Sequence, residues 1–124
     1  MLGFISNRYN SFKVAGKGVL YMLKHEHNAW IHTLATIVVC VAGLFFVISR
    51  FEWCCVVLAI VAVWTAEALN TALEFLADVT SPDFHPLVEK AKDVAAGGVL
   101  ITSLGSIVIA VLIFGPYIMK YMGR

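Results

Sequence analysis

Three long apolar stretches, separated by short polar segments, dominate the pattern of the chain. The first is AWIHTLATIVVCVAGLFFVIS, residues 29–49; the second covers residues 53–77 and the third residues 94–118. A helix needs about 20 mostly apolar residues to cross the hydrocarbon core of a bilayer, because each residue adds about 1.5 Å. Each stretch is long enough, so the sequence predicts three transmembrane helices.

The segment before the first span, residues 8–27, has a different pattern. At about 100° per residue, Lys13, Lys17 and Lys24 fall on one face of a helix, and apolar residues such as Phe12 fall on another. This pattern is typical of a helix that lies in the headgroup plane with its lysines on anionic lipid. A soluble amphipathic helix packed on a partner would look the same, but the nearby span favours the interfacial helix.

The composition agrees with a membrane protein. Hydrophobic residues make up 60% of the 124-residue chain and charged residues 14%, whereas soluble domains carry about 25% charged residues. The net charge of +1 leaves no broad basic surface for phosphates, so no nucleic-acid partner is expected. The sequence therefore predicts an all-α membrane protein whose residues 1–124 form a single domain.

The cysteines carry no recognisable chemistry. Cys40, Cys54 and Cys55 lie inside apolar stretches and form no C-x-x-C pair. Thiols in that setting usually behave as small hydrophobic side chains. We expect them to pack and not to bind metal or exchange electrons.

The basic residues indicate the orientation of the spans. One side of the predicted membrane receives Arg8, Lys13, Lys17, Lys24, Lys90 and Lys92, and the other receives Arg50, Lys120 and Arg124. Cytoplasmic segments carry an excess of lysine and arginine. The N-terminus and the connection after the second span are therefore predicted to be cytoplasmic.

A polar stripe interrupts the second span. At helical spacing Glu67, Asn70, Glu74 and Asp78 share one narrow face of VWTAEALNTALEFLAD. A single ionised acid at mid-membrane costs about 2.5–3.5 kcal/mol on insertion scales. The stripe must therefore face protein, water or a cation and not lipid.

Several explanations fit such a stripe. The predicted orientation places it in the cytoplasmic half of the span, where its carboxylates are accessible to cytoplasmic solutes. Carboxylates without a local lysine suit a hard divalent cation such as Mg²⁺, which usually also binds substrate phosphates. Interhelical hydrogen bonds could account for a polar stripe in a purely structural way, and a proton or ion pathway is a third explanation. Three acids and an amide in register favour the functional site.

Further polar residues are predicted to reach the same membrane surface. Glu26 lies at the entry to the first span, at the depth of Glu74, and is a candidate metal ligand. Pro82 and Pro86 are expected to keep the first part of the connection after the second span non-helical. Surface loops often look alike, but this one carries candidates for nucleotide contact: Asp83, His85, Lys92 and Asp93.

These residues resemble a known family. Together with Glu26, the segment EALNTALEFLADVTSPDFHPLVEKAKDVAAGGVLI looks like the small bacterial integral-membrane diacylglycerol kinase and undecaprenol kinase family. The shared pattern is E-x-x-N-[ST]-A-[IL]-E-x-x-x-D, followed by H-x-L and A-K-D. The resemblance covers essentially residues 10–115.

The resemblance implies a fold and a reaction. Members are homotrimers of the bacterial inner (cytoplasmic) membrane that transfer the γ-phosphoryl group of MgATP to a lipid hydroxyl on the cytoplasmic side, with sites between subunits. They are unrelated to soluble kinases, which agrees with the lack of a G-x-x-x-x-G-K-[ST] loop and of the H-R-D and D-F-G motifs here.

The resemblance also implies residue roles. Glu67 matches the general base, and Glu26 and Glu74 match ligands of Mg²⁺. Positions that shape or support the nucleotide site are matched by Asn70, Asp78, Asp83, His85, Lys92 and Asp93. The chain departs at His32, where proteobacterial diacylglycerol kinases tend to carry a further acid. No residue is assigned to lipid binding.

The same resemblance predicts the acceptor lipid. SPDFHPLVEKAKDVAAGG looks more like the undecaprenol kinases typical of Gram-positive bacteria, which predicts undecaprenol as the acceptor and diacylglycerol as the alternative. From a different class, a small ion- or proton-conducting membrane subunit would also explain intramembrane acids. A third alternative is a scaffold that forms trimers without catalysis.

Overall fold

The computed structural model describes residues 1–123, and they form four helices. In chain order these are α1 (Leu2–His25), α2 (His27–Phe46), α3 (Arg50–Thr80) and α4 (Pro86–Met122). No strand occurs in residues 1–123, which confirms the predicted all-α fold.

Three of the helices are long and apolar enough to cross a membrane, namely α2, α3 and α4. Large apolar side chains such as Leu44 and Val111 are mostly exposed on them. Lipid tails or neighbouring helices would cover such surfaces in a membrane. The number of spans therefore agrees with the sequence pattern.

A sharp break at Glu26 separates α1 from α2. Glu26 has an extended backbone (φ −93°, ψ 122°), and its amide donates to the Met22 carbonyl at 3.0 Å. The last turns of α1 pack on α3: Met22 is buried, and the Tyr21 ring meets the Phe75 ring edge-on at 5.6 Å. The C-terminal end of α1 thus lies beside the second half of α3.

A tight turn joins α2 to α3 at the opposite end. Val47 adopts a left-handed conformation (φ 52°), and a capping box follows it. The Glu52 amide donates to the Ser49 hydroxyl at 3.2 Å, and Glu52 Oε2 accepts from the Ser49 amide at 2.7 Å. The same oxygen accepts from the Tyr117 hydroxyl at 2.9 Å, which ties the start of α3 to the last turns of α4.

The apolar core of the chain lies at this turn. Gly43 is required there, because a Cβ would sit 2.6 Å from Cη2 of Trp53. The core consists of four buried residues: Ile48, Val56, Ile113 and Phe114. The site residues described below lie at the other end of the bundle, which we call the polar end: the start of α2, the second half of α3 and the start of α4.

The α3–α4 connection is short and ends in a helix cap. The Leu87 amide donates to Nδ1 of His85 at 3.2 Å, and Pro86 occupies the first helical position. The expected non-helical segment is present and stops at Pro86. From there α4 runs through Pro116 to Met122 without a break, as membrane helices with internal proline can.

Candidate active site

The polar stripe on α3 becomes more exposed along the helix. Glu67 is 1% exposed, Asn70 is 8% exposed, Glu74 is half-buried and Asp78 is exposed. Glu67 is the largest fully buried side chain among the described residues. Glu67 is therefore an acid buried between the helices. The more accessible side chains of Glu74 and Asp78 lie between it and the polar end.

Glu67 faces His32 across the α2–α3 contact. Nε2 of His32 lies 3.5 Å from Oε2 of Glu67, and the two side chains are 15% and 1% exposed. That separation is longer than a typical hydrogen bond, and Oε2 has no hydrogen-bond partner within the described chain. A buried carboxylate oxygen without a donor is costly, so a small movement that brings a hydrogen-bond donor to Oε2 would stabilise the side chain.

Asn70 forms a hydrogen bond with the outer part of the stripe. Its Nδ2 donates to Oε1 of Glu74 at 3.3 Å, which fixes the orientation of the Glu74 carboxylate. Its Oδ1 is buried and has no hydrogen-bond partner among residues 1–123. An additional oxygen acceptor therefore lies beside the two acids.

Charge concentrates around Glu67. The carboxylates of Glu26 and Glu74 are both close enough to repel it electrostatically. In the part of the chain that the structure describes, no group of three or more His, Cys, Asp or Glu side chains is arranged to hold a metal ion by itself. Glu26 and Glu74 supply oxygen donors of the kind that Mg²⁺ takes, usually one or two carboxylates with waters and substrate phosphates completing the shell.

A cation lies at the rim of the acidic cluster. Lys92, at the start of α4, forms an ion pair with Asp78 on α3, with 3.0 Å between Nζ and Oδ1. It also interacts electrostatically with Glu74. The ion pair is partly exposed, so it adds little to stability, but it holds the ammonium group of Lys92 beside Asp78.

The remaining candidates lie on the connection and the first turns of α4. His85 is exposed, and because its Nδ1 accepts from the Leu87 amide, a neutral ring carries its proton on Nε2. The Asp83 carbonyl accepts from the Ser81 hydroxyl at 3.1 Å. Within residues 1–123 no hydrogen bond or ion pair joins the carboxylates of Asp83 and Asp93 to the Glu67 cluster.

Sequence reasoning missed Thr71. This residue is 5% exposed, its hydroxyl has no hydrogen-bond partner among the described residues, and it lines a cavity of about 380 Å³ between α1 and α3. The only sequence signal was its place directly after Asn70 in the stripe. A second cavity, of about 150 Å³, lies between α2, α3 and α4 and begins at His32; its walls are otherwise mostly apolar.

Comparison with known proteins identifies the family. The sequence model of the family described as prokaryotic diacylglycerol kinase matches residues 13–114. The chain belongs to this family. The resemblance that the stripe motif indicated is thereby confirmed, and so is the expected class of membrane lipid kinase.

Named relatives of this family align along most of the chain. An undecaprenol kinase of Bacillus subtilis is 36% identical over 108 residues, which cover 87% of this chain and 88% of that protein. A diacylglycerol kinase of Synechocystis is 31% identical over 90% of this chain and 65% of its own length. A diacylglycerol kinase of Helicobacter pylori is 29% identical over 87% of both chains.

Proposed function

We propose that this protein transfers the γ-phosphoryl group of ATP to the hydroxyl of undecaprenol. The observation that carries the proposal is the buried Glu67, whose Oε2 has no donor within the described chain and which lies beside two further acids on an otherwise apolar helix. The Bacillus subtilis relative, named undecaprenol kinase, supports the choice of acceptor.

Glu67 acts as the general base. The lipid hydroxyl oxygen attacks the γ-phosphorus, the bond from that phosphorus to the bridging oxygen of ADP breaks, and the hydroxyl proton passes to the Glu67 carboxylate. A base must lie within hydrogen-bond reach of the proton that it removes. A carboxylate buried among membrane helices meets this requirement for an alcohol whose chain is held in lipid.

Glu26 and Glu74 are the residues that would hold Mg²⁺, and the ion would neutralise negative charge on the phosphate groups of the nucleotide. The donor chemistry fits, since both side chains are carboxylates that repel the nearby Glu67 charge in the absence of a cation. Asn70 keeps Glu74 oriented through its hydrogen bond.

The nucleotide is proposed to bind at the rim of the polar end. Lys92, held by Asp78, contacts phosphate oxygens as a fixed positive charge. The connection and first turn of α4 cover the nucleotide. The residues proposed to shape this part of the site are Asn70, Asp78, Asp83, His85, Lys92 and Asp93.

The proposed setting is the bacterial inner membrane, with the N-terminus and the active site on the cytoplasmic side. α1 is proposed to lie in the headgroup plane; its exposed Phe12 and Val19 suit contact with lipid. We further propose a homotrimer with sites between subunits. The exposed apolar faces of its spans support such an assembly.

Diacylglycerol is the second candidate acceptor. The relatives from Synechocystis and Helicobacter pylori are named diacylglycerol kinases, at 31% and 29% identity. The groove that receives the lipid tail decides between the two alcohols, and both reactions would use Glu67 in the same way. Family membership favours either kinase over an ion-conducting subunit, which would need no nucleotide.

Phosphate transfer from γ-labelled ATP in mixed micelles tests the proposal, with undecaprenol and diacylglycerol offered side by side. Labelled undecaprenyl phosphate as the main product supports it, and labelled phosphatidic acid supports the alternative. The matched control is Glu52→Gln, an acid at the far end of α3 whose glutamine can still accept from the Ser49 amide. Transfer to neither lipid by folded protein would overturn the kinase assignment.

A further inference from the structure

His32 occupies a position that the family-based roles do not explain. It is the side chain on α2 that faces Glu67, with Nε2 at 3.5 Å from Oε2, and it is largely buried itself. Its ring also meets the ring of Trp64 edge-on, with centroids 6.3 Å apart. A neutral imidazole here could donate a hydrogen bond without adding a charge to the membrane.

Two hydrogen bonds hold the backbone around His32 against α3. Nε1 of Trp64 donates to the Thr36 hydroxyl at 3.1 Å, and that hydroxyl donates to the His32 carbonyl at 2.7 Å. Trp64 lies three residues before Glu67 on α3, so both side chains lie on the same face of that helix. The contact therefore fixes the His32 turn of α2 relative to Glu67.

Glu67 needs an orienting partner. It is repelled by the carboxylates of Glu26 and Glu74, and no donor in the described chain forms a hydrogen bond with its Oε2. Without a hydrogen bond that holds one of its oxygens in position, the carboxylate group can rotate about its last torsion, which has a broad range. A general base works only when one of its oxygens stays directed at the hydroxyl that it deprotonates.

We propose that His32 is a positioning residue for Glu67. The Nε2–H group approaches Oε2 by the few tenths of an ångström that a hydrogen bond requires and holds that oxygen, leaving the other carboxylate oxygen directed at the lipid hydroxyl. His32 itself touches neither substrate nor nucleotide. The inference rests on the proposed role of Glu67 as the base.

The kinetic test compares two replacements of His32. His32→Leu removes the donor and should lower kcat about 10- to 100-fold, the cost typical of a misplaced catalytic group, with little change in the KM for ATP. His32→Gln offers an amide N–H of similar reach and should restore kcat to within about fivefold of the wild type. His27→Leu, a nearby exposed histidine outside the site, is the matched control.

A second experiment tests the contact without relying on activity. With ¹⁵N-labelled histidine, the NMR signal of His32 Nε2 should shift when Glu67 is changed to Gln, while the His27 signal should not. An unchanged His32 signal would overturn the contact, and wild-type kcat in both His32 variants would overturn its importance. If the wild-type protein phosphorylates no lipid, the proposed function is wrong. The NMR comparison still shows, independently of activity, whether His32 contacts Glu67.

His32→Leu could also fail to fold. Thermal unfolding and oligomer size in detergent identify that case, and His32→Gln together with the NMR comparison then carry the test. If His32→Gln loses as much activity as folded His32→Leu does, a hydrogen bond from residue 32 does not position Glu67.

Discussion

Glu67 and Glu52 are acids on the same helix with opposite surroundings. Glu52 accepts hydrogen bonds from the Ser49 amide and the Tyr117 hydroxyl, so its oxygens are engaged in structure. Glu67 is buried deeper and its Oε2 has no hydrogen-bond donor in the described chain. At the scale of the residue, the free lone pairs on Oε2 therefore distinguish the acid that we propose as the base from the structural acid.

The first prediction concerns the base. Glu67→Gln keeps the size of the side chain, but the amide cannot take up a proton, so turnover should fall at least about 100-fold. ATP binding, measured by calorimetry or by a fluorescent analogue, should be nearly unchanged. Near-normal turnover in folded Glu67→Gln protein would exclude Glu67 as the base.

The second prediction concerns the two proposed metal ligands. Glu26→Gln and Glu74→Gln should each raise the Mg²⁺ concentration that gives half-maximal activity, because an amide oxygen binds a divalent cation more weakly than a carboxylate does. Titration of activity with Mg²⁺ at fixed ATP measures the change. Wild-type Mg²⁺ dependence in both variants would contradict the assignment, and Glu52→Gln is again the control.

The third prediction concerns the thiols. Cys40, Cys54 and Cys55 are free, and none contacts the polar end. The triple alanine variant should keep activity within about twofold, because the site uses no thiol and an exposed or half-buried Cys→Ala change on a lipid-facing helix removes little packing. Loss of phosphate transfer in the folded variant would restore a chemical role for one of them.

How much of the site could be predicted depends on the kind of contact. The polar stripe of Glu67, Asn70 and Glu74 could be predicted because helical spacing alone aligns these residues on one face. The contact of Glu67 with His32 could not be found that way, since it depends on how α2 packs against α3 and the two residues lie far apart in sequence. The same is true of the Asp78–Lys92 ion pair.

At the scale of the elements, apolar length predicted α2, α3 and α4, but their ends depended on local chemistry. α2 stops at Phe46 because Val47 turns into the left-handed region, a conformation that a β-branched residue rarely adopts and that no sequence signal indicated. α4 begins at Pro86, well before its apolar stretch, because His85 caps it. Helix caps and tertiary packing determine where these helices end, and a hydropathy pattern does not predict those positions.

The fourth prediction tests the α2–α3 turn. Gly43→Ala would place a methyl group within 2.7 Å of two Trp53 ring atoms, so the ring must move, at a cost of about 1–3 kcal/mol. Unfolding in detergent, followed by circular dichroism, should show a lower midpoint. Gly16→Ala on α1, where a new Cβ would meet nothing within 4 Å apart from its chain neighbours and the nearby backbone of its own helix, is the control. Equal midpoints for Gly43→Ala and wild type would contradict the close packing.

At the scale of the whole molecule, the single chain has little interior of its own. Its buried apolar residues are few and concentrate at the α2–α3 turn, whereas most large apolar side chains are exposed. α3 and α4 make the most extensive contact between helices, and α2 is attached mainly through its turn and the Trp64–Thr36 hydrogen bond. In a membrane, lipid or further protein would cover these exposed apolar surfaces.

The fifth prediction follows from this incomplete interior. In mild detergent the protein should be a homotrimer, because three copies bury helix faces that one chain leaves exposed. Native mass spectrometry measures the number of protomers directly. A monomer that retains full phosphate transfer would contradict a site shared between subunits. A trimer whose activity requires a different Mg²⁺ concentration after the protein is diluted would support it.

The break between α1 and α2 has a mechanical consequence. Glu26 occupies the joint itself, so its carboxylate moves whenever the angle between the two helices changes. If one helix rests on the bilayer surface and the other crosses the bilayer, that angle follows the thickness of the membrane, since a spanning helix tilts to match it. The rate of phosphate transfer, measured in vesicles of graded acyl-chain length, should then pass through an optimum. The position of Glu26 would in this way respond to the thickness of the surrounding bilayer.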